Sequence, residues 1–215
     1  MSTEKEIKDN LKALQDSLFE ARSAYSLWKG IAYSRSSGVV PLKLAERYVE
    51  AQKTAPAFFT MAERSALISF VILILHPIDS DSRSFSLFNV DKEKTEIFIK
   101  ENKKTVDDLR LVRNKVFAHK DSDDTVKLIP SVERMDTFFE NLISFYNTLT
   151  SKHTDSITDF DSSCDNLMHE MDYMFMNLIR GENVRLKEID IEWMWEKDPQ
   201  NISNTLSSRK NKKIE

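Results

Sequence analysis

From Ile7 to Ala32 the apolar residues Ile7, Leu11, Leu14, Leu18, Ala21, Tyr25, Trp28 and Ala32 recur at alternating spacings of four and three. An α-helix gathers such positions onto one side, whereas a strand would scatter them over both faces of a sheet. A helix covering residues 3–34 is about 48 Å long, and its seam is buried only if other helices lie along it. This one stretch commits the chain to a helical bundle. Thr3 with Glu6 forms a capping-box pair at its start, and Ser36-Ser37-Gly38 ends it.

The rest of the chain repeats the theme. Pro41 opens a short helix to about Gln52. Pro56 starts the most apolar helix, which stops near Leu75 because a residue before proline, here His76 before Pro77, avoids helical geometry. Being apolar nearly all round, this helix is expected at the centre of the bundle. A polar, serine-rich connection over 77–90 leads to Asp91, the cap of a helix from Lys92 to about Asn102, and a further helix covers 103–119. Thr125 to Ile129 reads as a short extended piece. Ser131 begins a helix to about Thr150 with Val132, Met135, Phe139, Leu142, Tyr146 and Leu149 on one stripe. After a linker at His153–Thr158, a last helix over 160–180 carries Cys164, Met168, Met171, Phe175 and Leu178, with Gly181 as its C-cap. The chain's 3 glycines and 5 prolines suit helices rather than turns and sheets. The expectation is an all-α bundle of about five main helices. It places a helical domain at 1–182 and an extension at 183–215, where Trp193 and Trp195 pack back on the bundle and disorder sets in from about 199.

Composition narrows the function classes. The single cysteine, Cys164, excludes an intramolecular disulfide framework and fits a reducing cytoplasm. The first twenty residues are charged and amphipathic, unlike a signal peptide, and the run Ala66–Leu75 is too short to span a bilayer. No P-loop, GxGxxG, GxSxG or HExxH pattern occurs. Cys164, His153 and His169 have no ligand-like spacing, so neither a structural zinc nor another metal or cofactor is expected. A net charge of −4 argues against indiscriminate nucleic-acid binding. Between Lys100 and Lys120, however, seven basic residues stand against three acidic ones, a local excess of +4.

That basic stretch contains the one arginine–histidine pair at fixed helical spacing. With Val106 as origin and about 100° per residue, Leu109, Val112 and Val116 share an apolar arc whose edge Val106 and Phe117 extend. Arg113 and His119 flank it, each roughly 60° from Val116. Charged groups at such shoulders must be paired, hydrated or used, so the helix is expected to face a cleft or a second subunit. Left at that, Arg113 bonding a carboxylate across the bundle and His119 capping the helix C-terminus remain an open reading.

Arg113-Asn114, followed by Lys-Val-Phe-Ala-His119-Lys-Asp121, resembles the motif of the HEPN superfamily: arginine, a polar residue, then histidine after four to six intervening positions, five here. The Ala-His-x-Asp ending is most similar to the abortive-infection AbiU-like branch. The resemblance implies a HEPN-like bundle that forms a homodimer through the motif helix. It further implies a metal-independent endoribonuclease that leaves 2′,3′-cyclic phosphate ends, without a cofactor, acting on RNA, single-stranded above all, as a toxin-like phage-defence or stress effector, in some cases restrained by an antitoxin or other regulatory partner. Carried over, His119 is the acid/base, Arg113 the clamp on the transition-state phosphate and Asn114 the orienting polar group. Arg110, Lys115 and Lys120 are phosphate contacts on charge alone, and Asp121 matches only the branch extension. One Arg and one His do not readily supply base, acid and clamp together; two copies about a two-fold axis do. Two other readings stand beside this one: a catalytically inactive HEPN module that binds RNA or a partner protein, and a plain helical interaction protein in which Arg113 and His119 are structural.

Overall fold

The computed structural model describes residues 3–80, 85–118, 129–154, 156–160 and 162–188, without the side chains of 116–118, 162–168 and 185–188. Among them are seven α-helices and no strand: α1 (Glu4–Tyr33), α2 (Leu42–Lys53), α3 (Pro56–Leu75), α4 (Lys92–Glu101), α5 (Lys103–Ala118), α6 (Val132–Thr154) and α7 (Ser162–Glu188). The chain is an all-α bundle. Thr125–Leu128, Trp193, Trp195 and the tail from 199 lie outside the described residues.

The helices begin where local chemistry places them. At α1 the Thr3 hydroxyl accepts from the Glu6 amide at 3.3 Å, and the Glu6 carboxylate accepts from the Thr3 amide at 2.7 Å. Pro56 supplies the first turn of α3, where its missing N–H costs nothing. Asp91 Oδ1 accepts from the Lys94 amide at 3.1 Å and starts α4. Two helices outlast their expected ends. α6 runs on to Thr154, where Thr150 and Thr154 hydroxyls donate to carbonyls four residues back and stay compatible with the helix. α7 passes through Gly181 to Glu188, because glycine permits a C-cap without imposing one.

The centre of the bundle is α1, which packs most extensively on α3 and then on α7 and α6. Leu11, Leu14, Leu18, Ala21 and Tyr25 are at most 1% exposed, and full burial of a leucine contributes about 2 kcal/mol. The Tyr25 ring stacks on Phe70 of α3 at 4.5 Å and lies 6.3 Å from Phe139 of α6. Its hydroxyl donates to the Val132 carbonyl at 3.3 Å. Burial, reinforced by Asp136, pushes that phenol well above its ordinary value, so it stays a donor. A second cluster joins the far end of α1 to α2, α3 and α7 through Ile31, Tyr48, Phe59, Met171 and Phe175.

The expectation of a central α3 is corrected. Only six of its twenty residues are buried, and the helix lies along α1 with one side open. Among the described residues it is the one helix, extended to Ile78, long and apolar enough to cross a membrane. All-round apolarity states what a helix tolerates, and here the bundle covers only part of it.

Candidate nucleic-acid interface on α5

Helix α5 presents the expected apolar arc to the interior. Val106 and Leu109 are fully buried and Val112 is 1% exposed. The arc rests chiefly on α3, with lesser contacts to α4 and α6. On the opposite side Lys104, Asp107, Leu111 and Asn114 are exposed, and Leu111 keeps 42% of its surface open. Arg110, Arg113 and Lys115 are half-buried shoulders between the two sides.

The +4 of this stretch is not spread evenly. Lys103 pairs with Asp107 at 2.6 Å. Asp108 accepts from Arg134 of α6 at 2.9 Å, and the same guanidinium donates to Thr105 at 3.3 Å. Both acids of α5 are therefore engaged within its N-terminal half. Lys104 and the later cations Arg110, Arg113 and Lys115 make no ion pair with any described residue. Three of these four cations follow Asp108 in the helix, toward the C-terminus, where cations offset the helix dipole. Arg113 Nε donates to Asn114 Oδ1 at 3.4 Å, a long hydrogen bond. That contact joins the first two motif residues and leaves the terminal nitrogens of Arg113 outside it.

Arg110, Arg113 and Asn114 thus fall within about 100° of one another around α5, while Lys115 lies on the opposite shoulder, roughly 160° from Arg113. His119, Lys120 and Asp121 lie outside the described residues, and so do the side chains of Val116 and Phe117. The alternative in which Arg113 bonds a carboxylate across the bundle has no counterpart among the described residues. Two open cavities among the described residues lie away from α5. One of about 690 Å³ is lined by Tyr25, Lys29, Tyr33, Tyr48, His169 and Phe175. No group of three or more His, Cys, Asp or Glu side chains able to hold a metal occurs among the described residues.

Sequence reasoning missed the residues that fix this helix in place. Arg134 anchors α5 to α6 through Asp108 and Thr105, and Asn141 of α6 donates to Asn102 at the α4–α5 junction at 3.3 Å. Both pairings cross more than twenty residues of chain and carry no local pattern. The buried pairing of Asn10 with Ser86 was equally invisible. The chain matches no family model, no curated protein and no solved structure.

Proposed function

We propose that the chain is a metal-independent endoribonuclease of HEPN type, acting as a homodimer whose composite site uses Arg113, Asn114 and His119 from both copies. The observation that carries this reading is the placement of Arg113. It is half-buried beside the core residue Val112, has no carboxylate partner among the described residues, and touches Asn114 at the cationic end of α5. An arginine with no carboxylate partner among the described residues, while both acids of its helix are paired elsewhere, is suited to an anion from outside, and a phosphodiester fits its planar fork. In the reaction, His119 removes the ribose 2′-hydroxyl proton, and that oxygen attacks the adjacent phosphorus. Arg113 holds the developing dianionic phosphorane. The 5′-oxygen leaves with a proton from the second histidine, which gives a 2′,3′-cyclic phosphate and a 5′-hydroxyl. A role in phage defence or stress follows from the resemblance alone.

The test is incubation of a fluorescent single-stranded RNA with the purified protein in excess EDTA, beside Arg113→Ala and His119→Ala. Cleavage that survives EDTA, leaves cyclic-phosphate ends and disappears in both variants is expected. Wild-type protein no more active than two well-folded variants removes the enzyme and leaves a binding module.

A further inference from the structure

We infer that the open stripe of α3 is a self-complementary seam on which a second copy of this chain docks antiparallel, with the two-fold axis at Ser65. The stripe is Phe58, Met61, Ser65, Ile68, Ser69 and Ile72. At about 100° per residue these six fall within an arc of roughly 100°, the three–four spacing of a helix-packing seam. Phe58 is 61% exposed, Met61 65% and Ile72 37%, while Ser65 and Ser69 are exposed and Ile68 is half-buried. The arc contains no charge over fifteen residues of a chain in which 31% of residues are charged. Glu63 points off the stripe and is bound by Arg35 at 2.8 Å.

A second copy fits by shape. Antiparallel pairing about Ser65 sets Phe58 against Ile72 and Met61 against Ser69, so each bulky side chain of one half meets a smaller one of the other. Ser65 meets its own symmetry mate, where a small residue lets two backbones approach. An isologous contact demands this kind of self-complementarity. Phe58, Met61 and Ile72 leave on the order of 300 Å² of apolar surface open, within the range of the largest patch on a typical monomer, which is often functional. A specific interface needs about 600 Å² per partner at its lower end; the three serve for half, and Ser65, Ile68, Ser69 and the exposed Ala57, Thr60 and Arg64 border them. A bilayer is the less suitable occupant, since the inner side of α3 is packed on α1 and α5 and only one side needs cover. The inference deepens the dimer half of the proposed function and rests on it: it names the surface on which the two copies meet, on the helix against which α5 itself packs.

The test uses the full chain carrying Cys164→Ser. Ser65→Cys in that background should form a covalent dimer under mild oxidation, while Thr148→Cys, exposed on α6, should not. In the otherwise native chain, Met61→Glu should weaken self-association at least about 30-fold, the effect of a central interface residue, read as a halved mass by light scattering with unchanged circular dichroism. The seam is overturned by a dimer mass that Met61→Glu leaves intact. It is equally overturned by a folded Ser65→Cys protein that does not cross-link, including one whose introduced thiol is hidden from maleimide because another part of the chain covers it, and by flotation of the wild type with phospholipid vesicles. RNA cleavage is read on the same samples. Cross-linking without cleavage removes the ribonuclease and keeps the seam; cleavage without cross-linking removes the seam and keeps the ribonuclease.

Discussion

Asn10 offers the sharpest check on how the chain between α3 and α4 is held. Its side chain, only 5% exposed, pairs with the backbone of Ser86 as a strand would: Asn10 Nδ2 donates to the Ser86 carbonyl at 2.8 Å, and the Ser86 amide donates to Asn10 Oδ1 at 3.0 Å. Ser86 is itself fully buried, its hydroxyl donating to the carbonyls of Pro77 and Asp79. Asn10→Asp keeps the shape and the acceptor but turns the Nδ2 donor into an oxygen facing a carbonyl. Protonated, the new carboxyl donates one O–H to Ser86 and costs little. Ionised, it leaves that carbonyl unsatisfied beside a buried charge, a loss of about 3 kcal/mol. The folded-state pKa of the introduced aspartate is therefore raised above the unfolded value of about 3.9, and the sign follows. Stability relative to wild type is fully present below about pH 4, falls by about 1.4 kcal/mol per pH unit above it, and levels off once pH exceeds the folded value. Urea unfolding of both proteins at half-unit steps from about pH 4.5 to 8 reads the gap as a shift in midpoint at constant slope. A gap that stays flat across that range would mean that Asn10 does not donate to Ser86, and the pinned connection would be wrong.

Two further substitutions probe single helix ends. Burial opposes ionisation of Asp91, yet hydrogen bonds from the Lys94 backbone and side chain outweigh it and hold the carboxyl below its ordinary value. Asp91→Ala should therefore cost about 1 kcal/mol in urea unfolding at about pH 7, a difference that is present above about pH 4 and closes as acid protonates the wild-type cap; an unchanged gap at about pH 3 would exclude the cap. Gly181→Ala, in the exposed interior of α7 with nothing within 4 Å of the added methyl, should raise stability by about 0.5–1 kcal/mol, and a lowered urea midpoint would mean that α7 does not continue through this residue.

What could be read from the sequence was what a single helix decides for itself. The seam of α1, the Thr3 and Asp91 caps, the proline entry to α3 and the stripe of α6 each depend on residues within a turn or two, and the structure has them where periodicity and capping put them. The buried arc Val106, Leu109, Val112 was legible for the same reason. What failed depended on neighbours. The position of α3 could not be derived from its own apolarity, because a helix apolar on every side carries no preferred face to give away which side is covered. The grip of Arg134 on Asp108 and of Asn10 on Ser86 joins residues 26 and 76 positions apart, and nothing local marks either partner. The site divides along the same line. Which residues of α5 flank the core was a matter of angle and could be derived. That Asp108 is taken up by Arg134 of α6 required the fold, whereas Lys103 and Asp107 pair one turn apart within α5; Lys104, Arg110, Arg113 and Lys115 are left without ion pairs among the described residues. The two surprises bear on one another: α3 leaves an apolar stripe open, and α5, lying on α3, leaves its C-terminal cations without ion-pair partners among the described residues. In a lone protomer the first feature exposes apolar area to water, and the second concentrates like charge, which the helix dipole offsets only in part. Both become useful when a second copy covers the stripe and a polyanion covers the charge, which is why the seam and the ribonuclease are best tested on the same samples.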